Sequence, residues 1–185
     1  MVSPLNVFST DWLKKNAKSI HWFGLGFIQI KLNESERVHF YTSALPKTST
    51  EEEIHNHRYN FTSHVLRGSL KQKIYEVDIF DSFTTENTHW LTEETCKETE
   101  KKTFPTHPCN IKCVLDTEHG WGSSYYIHHE TFHQVDSSNA ITLIRRSPYK
   151  KETAQIVFPV GSKPLCPFSV KRSESELWDI VRNLL

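Results

Sequence analysis

An antiparallel β-barrel or sandwich is the fold class this sequence predicts, and three observations predict it. Runs rich in β-branched and aromatic residues recur along the chain, among them His21–Leu32, Arg37–Thr42, Leu70–Phe80 and Ala140–Arg146; such runs suit a pleated, half-buried surface. Turn-forming residues separate them at Asn33–Glu36, Gly120–Gly122 and Pro164–Pro167. Helical signals are confined to two short stretches near the ends, without the strand–helix alternation that a parallel sheet needs.

Taken in order, Ser9 or Thr10 is placed to cap a short helix over Asp11–Lys18, with Asp11 near its positive end. His21–Leu32 reads as a strand in which Gly24 and Gly26 share a face, where another backbone comes close. The Asn33–Glu36 turn returns it as Arg37–Thr42, a hairpin. A polar loop, Pro46–Thr50, leads to Glu53–Leu70, whose apolar half is closed by Gly68. Leu70–Phe80 then returns as a strand with Leu70, Gln72, Ile74 and Glu76 on one face. Asp81–Lys102 is Thr- and Glu-rich, anchored by Trp90 and Leu91, and reads as a surface excursion or a short polar hairpin; an insertion over about 81–107 is expected. Cys109–Asp116, Ser123–Ile127, Glu130–Val135, Ala140–Arg146 and Ala154–Val160 supply further strands. Ser173-Glu174-Ser175-Glu176 resembles a capping box before an amphipathic helix, so a C-terminal helix is expected over about 174–185. The whole, 1–185, reads as one domain with a core over about 21–160.

Composition narrows the function classes. Lys plus Arg (22) equals Asp plus Glu (22), so no whole-protein field draws the chain to nucleic acid or to an anionic membrane. No run approaches the roughly 20 apolar residues that span a bilayer. Met1–Asp11 lacks a basic start and an apolar stretch, and the four cysteines (Cys96, Cys109, Cys113, Cys166) make no dense disulfide framework. A cytoplasmic protein is the expectation, with a small-molecule partner, no nucleic-acid or membrane partner, and room for a homodimer through an edge strand.

Eleven histidines are the compositional oddity. In an extended strand, residues two apart point the same way, so Glu53, His55 and His57 project from one face at a spacing that lets two imidazoles share one ion. A third ligand should come from a strand distant in sequence, and His133, after Phe132 at the start of a β segment, is the best candidate. Glu53 could be a fourth ligand or an acceptor for a ligand's free N–H; it could equally be the solvated start of a strand. His64, seven residues after His57, points to the opposite face unless a bulge intervenes. His64, His128, His129 and Tyr59 are the candidate catalytic groups, the histidines because they titrate near neutrality. The bland alternatives are a packed or exposed His64, a turn for His128 and His129, and core positions for Tyr59, Tyr125 and Tyr126. His107, Cys109 and Cys113 form a rival, isolated cluster. Arg67, Arg145 and Arg146 could bind a carboxylate or phosphate, or could simply line a solvated rim.

His55-Asn56-His57 followed by Gly68, with the later His133, resembles the cupin superfamily over about Phe27–Arg146. The resemblance implies a mainly β protein, a double-stranded β-helix or jelly roll with short N- and C-terminal helices, and a metal inside the barrel. The glutamate common in the first cupin motif would fall near Phe61, and no carboxylate stands between His57 and Gly68; the turn Pro and Gly of the second motif are replaced by His128 and Glu130. The missing glutamate leaves a three-histidine set, similar to the iron sites of the thiol dioxygenase branch. The resemblance therefore implies a divalent metal, Fe foremost with Zn, Mn or Ni as alternatives, and a dioxygenase-like oxidoreductase. A redox-silent Zn or Mn isomerase or epimerase, or a non-catalytic binding module, are the other expectations.

Overall fold

The computed structural model describes residues 2–46, 54–94, 105–162 and 172–185. A single 3₁₀ turn (Pro4–Phe8) precedes helix α1 (Thr10–Asn16), which Ser9 caps by accepting a hydrogen bond from the Trp12 N–H. Eleven strands follow among the described residues: β1 (Ser19–Phe23), β2 (Phe27–Lys31), β3 (Glu36–Thr42), β4 (Ile54–His55), β5 (Phe61–Ile79), β6 (His89–Glu94), β7 (Thr106–Gly120), β8 (Ser124–Ile127), β9 (Phe132–Asp136), β10 (Asn139–Arg146) and β11 (Ala154–Pro159). Helix α2 (Glu174–Leu184) opens with the capping box that the sequence predicts: Ser173 and Glu176 exchange side-chain-to-backbone hydrogen bonds. The protein is mainly β, with a short helix towards each end, as expected.

The strand pairings among the described residues are antiparallel, and they divide into two sheets. The first runs β1-β2-β3-β10-β5-β8. In the second, the pairings lead from β5 through β7, β6, β11, β4 and β9 and return to β5, so this half closes on itself. Strand β5 belongs to both sheets: Phe61–Gly68 pairs with β10, and Ser69–Ile79 pairs with β7. The result is a jelly-roll-like sandwich in which one strand passes from layer to layer.

Gly68 makes that passage. Its φ is +70°, and a Cβ there would lie 1.8 Å from the Asn139 carbonyl oxygen. The expected strand end at Gly68 is thus a bend inside one nineteen-residue strand, because a left-handed residue can redirect a ladder without breaking it. The single strand expected over His21–Leu32 is also corrected. It folds back through Gly24-Leu25-Gly26, with Gly26 at φ +89°, giving the β1–β2 hairpin; another backbone does meet this turn, the Thr42 N–H donating to the Gly26 carbonyl at 3.2 Å. Within the polar stretch after Asp81, His89–Glu94 is a strand hydrogen-bonded to both β7 and β11. Glu53, Pro164, Cys96, Cys166 and most of the Pro46–Thr50 loop lie outside the described residues.

The faces sort by parity. On the first sheet Ile28, Ile30, Val38, Phe40, Ile141 and Leu143 form the main core with Val7, Leu13, Leu177, Trp178 and Val181 from the helical segments. The neighbouring row on the opposite face carries Arg37, His39, Thr142 and Ile144. On the second sheet Ile54, Val157 and Leu91 lie in one cross-strand row of a smaller apolar cluster. The adjacent row, His55, Ile156 and Thr92, faces the other way.

Candidate metal centre

The sequence His55-Asn56-His57 is held by its middle residue. Asn56, 1 % exposed, accepts a hydrogen bond from the Gln155 N–H and donates its amide to the Gln155 side-chain oxygen (each 2.8 Å), while its own N–H donates to the Gln155 carbonyl (3.0 Å). With Asn56 tied to β11 on one side, the flanking histidines project on the other. His55 lies directly across the ladder from His133 on β9. The His57 N–H donates to the His129 carbonyl (3.3 Å), fixing the chain just beyond β4.

The three imidazoles converge. One nitrogen from each of His55, His57 and His133 lies within 4.8 Å of the others, and His57 Nε2 is 2.9 Å from His133 Nε2. Two nitrogens bound about 2.0–2.1 Å from one ion and about 90° apart would themselves be about 2.9 Å apart. Without an ion, the same separation accommodates one N–H···N hydrogen bond. The donor set also fits a metal chemically. Burial pushes the pKa of both His57 and His133 well below the usual imidazole value, and the neighbouring His55 lowers each further; a ligating imidazole must be neutral.

Apolar and amide groups surround the cluster. Phe61 is 6 % exposed and sets its ring edge-on to His57 (4.9 Å between centroids) and 5.8 Å from His133. Tyr59 stacks against His57 at 5.4 Å, and its hydroxyl accepts a hydrogen bond from Arg37 Nη1 (2.9 Å). Behind His133, the Gln72 amide nitrogen lies 3.4 Å from His133 Nδ1, and the Gln72 carbonyl oxygen accepts from His119 Nε2 at 2.8 Å. His119 in turn stacks on Tyr125 (4.3 Å), whose hydroxyl pKa burial raises to about 12.

The remaining candidates are spread around this centre. His64 stands in a cross-strand row with Leu143 and Val38, on the helix-bearing face away from the three histidines; burial lowers its pKa, and Arg145 adds to the effect. His128 and His129 occupy the turn before β9 and make, with the exposed Glu130, the second His/carboxylate group among the described residues. His129 is anchored, its backbone N–H donating to the Asn60 side-chain oxygen at 2.9 Å and its ring Nδ1 2.9 Å from the same atom. Its pKa is lowered by desolvation and by His128. Cys109 is buried, which pushes its thiol up to about 11, while Cys113 is exposed; neither belongs to a metal-compatible group among the described residues. Asn56, Gln72 and His119 were not singled out as site residues by sequence reasoning. The signal for Gln72 is a polar amide inside a strand at a position otherwise given to the core; Asn56 is a buried amide just past the end of β4.

No protein-family model and no curated protein sequence matches this chain. Fold and site together define a largely antiparallel β-sandwich with a buried three-histidine cluster compatible with a metal ion.

Proposed function

We propose that the protein is a metal-dependent, cupin-type enzyme, a mononuclear non-haem iron dioxygenase-like oxidoreductase acting on a small molecule. The observation that carries this reading is the convergence of His55, His57 and His133 from two strands and the adjoining loop, in an environment that keeps His57 and His133 neutral. The three imidazoles would hold the ion, and the ion would supply the redox chemistry with dioxygen. Every other task falls to the chain. Phe61 keeps water and a fourth protein ligand away from one side of the cluster. Asn56 holds the segment that carries His55 and His57, and the Gln72 side chain backs the His133 ring. Tyr59, stacked on His57 with its hydroxyl turned to Arg37, is the phenol placed to orient a substrate or move a proton. His128 and His129 at the adjoining turn are the next candidates for proton transfer.

Cys109 and Cys113 are free thiols, compatible with a reducing, cytoplasmic setting. Beyond its short pairing with β6, β7 has no second strand neighbour among the described residues, and Val114 and Leu115 there are exposed; this edge would suit pairing with a second copy.

Metal analysis of protein purified without added metal tests the reading. Stoichiometric iron, lost in His55→Ala and in His133→Ala, is the expected result. Zinc or manganese in its place would move the assignment to a redox-silent isomerase or epimerase, and metal in neither protein would end both.

A further inference from the structure

Beside the histidines stands a column of arginines and tyrosines that metal binding does not require. Arg58 lies over the Tyr149 ring (4.4 Å to the centroid), Arg146 over both Tyr149 (4.5 Å) and Tyr59 (4.9 Å), and Arg37 over Tyr59 (5.1 Å). Tyr59 then stacks on His57. Three guanidiniums thus alternate with two phenols in a column whose inner end touches the candidate metal centre.

The column carries more positive charge than its neighbours offset. Among the described residues, the one carboxylate paired with any of these arginines is Glu34, 3.6 Å from Arg146 Nη2; Glu34 is 68 % exposed and is shared with Lys18 and Lys31. Lys150 joins the same region through its N–H to the Arg58 carbonyl. The donors are also under-used. Arg146 is 3 % exposed at its side chain, yet its Nε and that of Arg37 are buried without a hydrogen-bond acceptor. Arg37 Nη1 serves Gln29 (3.3 Å) and Tyr59 (2.9 Å), and Arg146 Nη1 the Ser147 carbonyl (3.3 Å), all neutral acceptors. A buried guanidinium is costly unless its charge and its N–H groups are met, and its fork of donors matches a planar or tetrahedral oxyanion.

We propose that this column is an anion subsite that takes the carboxylate or phosphate group of a small molecule, with Arg37 and Arg146 as its principal donors. Tyr59 joins it to the histidine cluster, so an anionic group held there leaves the rest of the molecule beside His57. That use as a substrate anchor rests on the metalloenzyme reading; anion binding itself does not.

The test is titration of the full chain with inorganic phosphate and, separately, malonate, by calorimetry and thermal shift, before and after treatment with chelator. Saturable binding of at least one anion below about 10 mM, weakened at least about tenfold in Arg37→Gln and less in Arg37→Lys, is expected with or without metal. Whichever anion binds tighter identifies the class. Arg58→Gln, at the outer end of the column, provides a variant whose folding does not depend on a buried site, and a severalfold loss is expected there too. No saturation by either anion, or affinity unchanged in both Arg→Gln variants, overturns the proposal. Binding seen only with metal present also overturns it, since the anion would then sit on the ion. Loss of metal in the His133→Ala protein with anion binding intact would leave the subsite standing whatever becomes of the enzyme assignment.

Discussion

Gln72 offers the sharpest test of whether the histidine cluster is a metal site or a hydrogen-bonded trio. As the side chain stands, its amide N–H faces His133 Nδ1 at 3.4 Å, and its carbonyl oxygen accepts from His119 at 2.8 Å. His133 Nε2 faces His57, so an ion between them would take that nitrogen and leave the ring proton on Nδ1. Nδ1–H then needs an acceptor, which Gln72 can supply only by presenting its oxygen, turning its amide N–H towards His119. Partners of this kind typically set about 10- to 100-fold of metal affinity, or about 1.4–2.7 kcal/mol. Gln72→Leu should therefore lose that much affinity for Co²⁺ or Zn²⁺ in competition with a chromophoric chelator. Gln72→Glu, which accepts from both rings at once, should equal or exceed the parent. The nitrogen NMR signals of His119 should also change tautomer on metal addition to the parent protein and not to Gln72→Leu. Equal affinity in the parent and in Gln72→Leu, with the His119 signals unmoved, would refute the argument; no measurable affinity in either would leave a structural imidazole cluster.

Other outcomes follow from the same structure. Gly68→Ala should cost more than about 3 kcal/mol in urea denaturation or abolish folding, since its Cβ would meet the Asn139 carbonyl at 1.8 Å and φ is +70°; Gly122→Ala, at φ +81° with open space around it, should cost only about 1–2 kcal/mol. Burial and the nearby Arg37 lower the His39 pKa to about 3, so below about pH 6.5 the unfolded chain binds a proton that the native one refuses. Its contribution is complete above that pH and is lost on acidification, at up to about 1.4 kcal/mol per pH unit; His39→Gln should flatten the acid limb of a stability–pH curve, and an unchanged slope would count against it. Phe61→Glu puts a carboxylate beside His57 and His133, and should destabilise the metal-free protein by about 3 kcal/mol or more while making its melting temperature rise further with added metal than the parent's does.

Much of the fold could be read along the chain because its signals are local. Ser173 and Glu176 declare a helix start by themselves, and Asn33 makes its turn by accepting from the Ser35 and Glu36 N–H groups. His55, His57 and His133 could be named because the His-x-His spacing puts the first two on one side of the chain, although only His55 lies in a strand, and a strand opening marks the third. What could not be read depends on partners far along the chain. Nothing near Gly68 says that Asn139 will press against it, so a bend looked like a strand end. Gly24-Leu25-Gly26 carries a turn signal, but the apolar run through it concealed the reversal. Gln72 was visible as a polar residue on an apolar face; only the β5–β9 register shows that it backs His133. The arginine column draws on Arg37, Arg58 and Arg146, residues from three separate segments, which sequence spacing cannot assemble.

Strand β5 has a consequence for how the chain is made. Its partners β7, β8, β9 and β10 all come later in the sequence, and His57 meets His133 across 76 residues. At on the order of ten residues per second, a nascent chain holds nineteen residues of strand with neither edge satisfied for several seconds. During that interval it must be shielded from pairing with other chains. The histidines can assemble only after this vulnerable interval has passed, so an ion captured there could lock the finished roll but could not guide its early steps.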